Sequence, residues 1–342
     1  MKDRIKQIIK LSIFIGLSVI LLIIAFRNID LADVFEELKN AKYSWVLISF
    51  TASVLAFISR ARRWILLIKP LGYNPGLTSA YHALMTGYLF NLAAPRLGEL
   101  TRCVALGRKE KIPVDRLFGT VIAERAIDLL SMFIILIIMI FASGNIMDSF
   151  LKENVVQPMG TKISSVFASP VTVIVISILF IIALIIILTI YRERLMKIKM
   201  VAKIGDIIKG ILSGLKTFVR MKDKLEFIIH TLVIWSFYII MTWVIFYAIP
   251  STSHLNFGDA VFILVIGSLG MSAPVQGGIG AFHWIVSRGL NVVYGIDLKD
   301  GLAYATLSHE SQLVLIVILG TISFYLILGK SRRRHKQPEQ DN

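Results

Sequence analysis

A chain of 342 residues that is 56% hydrophobic and 17% charged, with mean hydropathy +0.74, has too little polar surface to coat itself in water, since soluble domains carry about 25% charged residues. The formal net charge of +15 would suit a nucleic-acid partner only on a soluble module with a basic face. No stretch long enough for such a module separates the apolar blocks, so no nucleic-acid partner is expected; the single cysteine, Cys103, excludes an intrachain disulfide and any zinc centre built on several thiolates.

The chain opens with a basic stretch and an apolar run that continues to Phe26 without a small-residue cleavage site. It reads as a retained first span over 9–27, not a removable signal. The second span, 43–64, ends in Arg60, Arg62, Arg63 and Trp64, which resemble an interfacial belt. Arg60 and Arg63 share a face at i, i+3 and are candidates for a cavity mouth; anchoring at the interface is the other reading.

The apolar region 77–106 does not thread as a simple crossing, because Arg96, Arg102, Arg108, Lys109 and Lys111 would be stranded outside. A dip that enters and leaves from the cytoplasm avoids this, turning at Ala94, Pro95, Arg96, Leu97 and Gly98, where Pro stops a helix and Gly permits reversal. A kinked ordinary span is the alternative. Asn91, Pro95, Arg96, Gly98, Glu99 and Arg102 line this turn. A broken helix offers backbone donors to anions, and arginine forks pair with phosphate at two points. Simple contact of these arginines with lipid headgroups is the competing reading.

The third span, 115–142, contains Glu124, Arg125 and Asp128 at a depth of roughly 12–18 Å. Glu124 and Asp128 share a face at i, i+4, and Arg125 is expected to reach Asp128 at i+3. Ionisable groups at this depth must face a cavity or a partner, and a structural ion pair to Arg60 or Arg96 is compatible with either role. A fourth span is expected at 169–190. Residues 195–218 are basic, with apolar residues at helical spacing, which suits a helix lying on an anionic leaflet.

A fifth span at 227–249 precedes a second apolar region, 257–294, that turns at Ala273, Pro274, Val275, Gln276, Gly277 and Gly278. It reads as a dip from the outer side, since non-helical backbone at such depth must face protein or water. Its glycines, Gly267, Gly270, Gly277, Gly278 and Gly280, serve either the turn or close helix packing. No strand precedes them and no Gly-Lys-Ser/Thr follows, so they form no nucleotide loop. Gln276, His283, His309 and Glu310 are the polar groups nearby. His283 and His309 are candidates for a proton relay, although a lone membrane histidine is more often structural. No His/Asp/Glu set has metal-ligand spacing in sequence, so neither a metal nor another cofactor is expected. A sixth span at 301–328 leads to a basic then polar tail, 331–342.

Of the 37 Lys and Arg, 29 fall in 1–10, 60–116, 192–224 and after Gly329. The positive-inside rule places these segments, and both termini, in the cytoplasm. The predicted fold class is therefore an all-α polytopic membrane protein with six spans and two re-entrant broken-helix segments, in a single domain over 1–330. The two turns share Ala-Pro-x-x-Gly, starting at Ala94 and Ala273. Thr120 to Glu124 finds a partner in Thr306 to Glu310, each Glu about ten residues into the following span. Halves over 43–142 and 227–328, linked by 143–226, are expected as an inverted repeat, which in transporters flags a midplane site.

The residues Asn91, Pro95, Arg96, Gly98, Glu99 and Arg102, then Glu124, Arg125 and Asp128, then Pro274, Gly277, Gly278, Ile279 and Gly280 resemble the transmembrane region of lysylphosphatidylglycerol synthases and its stand-alone flippase-like relatives. The resemblance covers nearly the whole chain, and Pro-Arg-x-Gly-Glu-x-x-Arg carries most of its specificity. It implies a bacterial cytoplasmic-membrane location and movement of an aminoacylated phospholipid between leaflets. The soluble aminoacyl-transferring domain has no counterpart here, so no enzyme activity is expected. His283 stands where relatives commonly have an acidic residue, and Ser311 follows Glu310 where an arginine is often found nearby. The leading expectation is a transporter of an anionic or aminoacylated phospholipid or a polyprenyl-phosphate-type lipid, with membrane lipids as partners. The alternative is a non-transporting scaffold for a separate lipid-modifying enzyme or glycosyltransferase.

Overall fold

The computed structural model describes residues 31–94, 96–142, 221–273 and 275–334, with isolated positions before them. The spans expected at 9–27 and 169–190, the surface helix at 195–218, most of the tail and both Pro95 and Pro274 lie outside the described residues. All regular structure among the described residues is helical, in agreement with the all-α expectation. The α-helices are α1 (Leu31–Asn40), α2 (Tyr43–Ile68), α3 (Leu77–Ala93), α4 (Leu97–Glu110), α5 (Val114–Ala142), α6 (Lys224–Phe246), α7 (Phe257–Met271), α8 (Ala281–Tyr294) and α9 (Leu298–Arg334).

Three helical stretches, Tyr43–Leu71, Lys224–Phe246 and Leu298–Ile327, are long and apolar enough to cross a membrane, as about 20 residues suffice for a 30 Å core. Their outward faces are apolar. On α9, Val314, Val317, Ile318 and Ile322 form an exposed stripe at helical spacing, and on α5 Phe133, Ile134, Ile137 and Ile138 do the same. Large exposed apolar faces suit a lipid solvent.

The helix ends follow from local chemistry. Ala94 leaves α3 in an extended conformation (φ −156°, ψ 143°), as the residue before a proline prefers. Asn256 caps α7 by accepting from the Gly258 and Asp259 amides, while Asp259 accepts the Asn256 N–H in return. Gly295, at φ 66°, closes α8 by donating to the Asn291 and Leu290 carbonyls.

Both apolar regions expected to turn back do so as antiparallel helical hairpins, α3 with α4 and α7 with α8, which excludes a kinked continuous span for either. The α3/α4 contact is as close as backbone allows: a Cβ on Gly98 would lie 1.8 Å from the Gly87 carbonyl oxygen. In α7/α8 a Cβ on Gly270 would lie 2.9 Å from Ile285 Cγ2 and from the Phe282 Cα, and one on Gly267 would lie 2.8 Å from Phe282 Cε2. Gly267 and Gly270 are therefore packing glycines. The order helix, hairpin, helix occurs twice, as α2, α3/α4, α5 and as α6, α7/α8, α9.

Two main apolar clusters form the core, and each draws on both halves: Ile327 of α9 joins the first, and Val46 of α2 and Met139 of α5 join the second. Trp64, Ile65, Leu84, Leu106 and Leu117 anchor the first, and Phe246, Phe262, Ile266, Leu290 and Tyr304 the second. The halves are joined where α2 packs along α6 and α9 against α3. Phe57, Met85 and Leu315 fill part of that junction, and Gln312 adds a polar tie by accepting from Ser53 (2.8 Å) and donating to Ser49 (3.2 Å).

Candidate functional site

Three helices bring charged residues to one buried point, and a fourth adds a tyrosine hydroxyl. On α5, Glu124 and Asp128 project from one face toward α2. Arg60 Nη2 lies 2.6 Å from Glu124 Oε1 and 3.0 Å from Asp128 Oδ2, and its Nη1 donates to the Tyr238 hydroxyl of α6 at 2.7 Å. Arg63 Nη2 pairs with Asp128 Oδ1 and stands 3.8 Å from Glu124 Oε1. From α4, Arg102 Nη1 reaches to 3.0 Å from Glu124 Oε2, and its guanidinium lies 4.8 Å over the Trp64 ring. Trp64 Nε1 in turn donates to Thr120 Oγ1 at 2.9 Å. Arg60, Arg63, Arg102 and Glu124 are all buried.

Among the described residues the cluster thus sets three guanidiniums against two carboxylates, leaving one positive charge uncompensated. Arg102 has Nε and Nη2 without a hydrogen-bond partner among the described residues. Isolated buried charge is costly, so a site of this composition attracts an anion able to accept those N–H groups. Arg125 and Glu99 form a separate pair at 3.1 Å, more open to the surroundings.

Several sequence expectations are corrected here. Arg125 does not reach Asp128; Asp128 is taken by Arg60 and Arg63, while Arg125, about 100° round the helix from Glu124, faces Glu99 on α4. Arg60 and Arg63 are interior ligands of the carboxylates rather than interfacial anchors, whereas Arg62, between them, turns outward to Glu226. Arg96 is exposed and does not join the cluster. Asn91 holds the turn itself, accepting the Gly98 N–H at 2.8 Å. Tyr238 belongs to the cluster and was not anticipated, because a tyrosine in an apolar helix carries no signal of its partner.

The second turn forms a smaller polar group. Gly277, Gly278 and Gly280 all have positive φ (61°, 75° and 84°), which only glycine adopts freely. His309 Nε2 donates to the Gly277 carbonyl at 2.8 Å, and His309 Nδ1 lies 3.2 Å from Glu310 Oε1. His283 Nε2 lies 3.5 Å from the same oxygen. His283 and His309, expected near the second turn as candidates for a proton relay, are neighbours with ring centroids 5.2 Å apart, and Glu310 lies close to both. Sequence spacing pointed to no metal set because the two histidines come from different helices. Glu124 and Glu310, matched in sequence, have different partners: Glu124 faces arginines and Glu310 faces two histidines. The side chain of Gln276 lies outside the description.

The family model described as Lysylphosphatidylglycerol synthase TM region matches residues 7–320. The chain belongs to this family. It is an integral membrane protein, in keeping with its apolar helices. It is similar to a UPF0104 membrane protein of Methanocaldococcus jannaschii, at 27% identity over 125 residues, which are 36% of this chain and 37% of that protein. No solved structure matches. The match spans little more than a third of the relative's length, while the family region covers both turns, all of α2 to α8 and most of α9.

Proposed function

We propose that the protein is a flippase-like transporter, not an enzyme, which moves an anionic amphiphile between the leaflets of a cytoplasmic membrane, with both termini on the cytoplasmic side. The headgroup is of the phosphate class, as in an anionic or aminoacylated phospholipid or a polyprenyl phosphate. The observation that carries this reading is the uncompensated charge at Arg60, Arg63 and Arg102, with Arg102 donors left over. A phosphate oxygen is a suitable acceptor for those N–H groups. Buried arginines in a lipid-facing fold belong to pathways more often than to anchors.

The two hairpins supply the moving parts. In the inverted arrangement inferred from charge placement, one opens to each side, and rocking of the halves about the α2/α6 and α3/α9 contacts exposes the headgroup alternately. The closed burial of Arg102 then corresponds to an occluded state.

Mass spectrometry of protein extracted in native membrane discs tests the binding step. The protein should be enriched in an anionic amphiphile relative to the surrounding membrane, and Arg102→Gln should abolish the enrichment. Arg102→Gln leaves Glu124 paired with Arg60, so the fold is retained. A lipid profile equal to that of the bulk membrane would contradict the reading.

A further inference from the structure

The geometry points to a transition-metal site, of the zinc class, formed by His283 Nε2, His309 Nδ1 and Glu310 Oε1. The three ligand atoms lie within 4.8 Å of one another and come from α8 and α9, with the second turn against them. Ligands at the usual zinc distances of 2.0–2.2 Å in a tetrahedron are about 3.3–3.5 Å apart. Two edges of the triangle already have this length, 3.2 Å between His309 and Glu310 and 3.5 Å between His283 and Glu310. Closing the third, now within 4.8 Å, asks for at most about 1.5 Å of side-chain movement.

The hydrogen bonds argue for a cation at the centre. A carbonyl can only accept, so the contact to Gly277 puts the proton of neutral His309 on Nε2. Its Nδ1 lone pair then faces a carboxylate oxygen at 3.2 Å, an arrangement that needs a positive charge between the two atoms. A proton would satisfy that pair alone. His283, close to the same oxygen, completes a three-sided pocket that suits a metal better. A backbone carbonyl behind a ligating histidine is also the usual outer support that fixes its tautomer. His283 binds through Nε2 once its ring proton sits on Nδ1, at the expense of the long 3.4 Å contact from the Gly280 N–H.

Phe282 stacks on His309 with ring centroids 5.1 Å apart and shields one side. The Glu310 side chain is 46% exposed, so the fourth position is open to water or an anionic oxygen. Two histidines and a glutamate with one open position are a set zinc favours. The bound metal would clamp the second turn, through His309 and Gly277, onto α8 and α9. This site stands independently of the transport reading.

The test is metal content and spectroscopy on tag-free, purified full-length protein. After equilibration with zinc and removal of free metal, one zinc per chain is expected. Cobalt(II) in its place should give the intense visible bands of a tetrahedral ion. Loss of an outer-shell partner costs 10–100-fold in affinity, so His309→Ala or Glu310→Gln should weaken zinc binding by about 100-fold or more. His230→Ala and His254→Ala should leave it unchanged. Glu310→Gln, at a half-exposed position, keeps shape and folding, so it decides the matter if the histidine variants fail to fold. Absence of stoichiometric zinc, or equal retention in Glu310→Gln, would overturn the site and leave the cluster holding a proton only.

Discussion

At the level of single residues, Glu124 and Glu310 match in local sequence but differ in surroundings. Glu124 is 1% exposed and faces three guanidiniums. Removing its charge would leave those cations with Asp128 alone, and breaking a buried ion pair costs about 3–5 kcal/mol. Glu124→Gln should therefore lower thermal stability in detergent sharply. Glu310→Gln, in metal-free protein, should cost less, because its carboxylate faces two imidazoles and no guanidinium. Equal losses in paired melting experiments would contradict this difference. The importance of Glu124 and Asp128 was legible in sequence, because charges one turn apart in an apolar span must find partners. The burial of Arg63 was not. Arg60, Arg62, Arg63 and Trp64 have the composition of an interface, and only the rotation of α2 against α5 and α6 decides which of them point inward. The meeting of His283 with His309 likewise depends on how α8 docks on α9.

Among the helices, the α3/α4 hairpin is where sequence and structure agree most closely. Ala94, Gly98 and the proline between them announced a reversal, and the near-contact of Gly98 with Gly87 shows why glycine stands there. Gly98→Ala should separate the two helices and abolish folded protein in a size-exclusion assay. Gly119→Ala, where a Cβ meets nothing within 4 Å, should be tolerated or slightly stabilising, since alanine favours helix by about 0.8–1.0 kcal/mol over glycine. Arg96 adds a second handle. Its φ of 65° is costly for a residue with a Cβ, so Arg96→Gly should raise stability by about 1 kcal/mol, readable as a higher melting temperature. At the end of α2, Lys69 donates to Asp223 at 2.7 Å. That hydrogen bond, with the Lys69 charge, holds the Asp223 carboxyl below its usual range. The tie is present above the ordinary carboxylate range and is lost as pH falls through the depressed value. The docking of α1 on α9 is a tertiary contact, although Leu31, Val34 and Leu38 already give α1 an apolar face at helical spacing.

For the whole molecule, the doubled order of helix, hairpin and helix was legible from two short matches and the placement of basic residues. The pairing of the halves through α2/α6 and α3/α9 was not, because apolar faces in a membrane protein look alike to lipid and to protein. Charge placement predicts that Arg108 is cytoplasmic and Ser253 external. In a Cys103→Ala background, Ser253→Cys should react with an impermeant maleimide on intact cells, and Arg108→Cys only after permeabilisation; the reverse pattern would invert the topology. Lipid exchange in liposomes is the decisive measurement of transport. Purified protein should speed the leaflet exchange of a labelled anionic phospholipid or polyprenyl phosphate, and Arg102→Gln should slow it while remaining folded. No acceleration across a broad panel of anionic lipids, or rates unchanged in Arg102→Gln, would contradict the account.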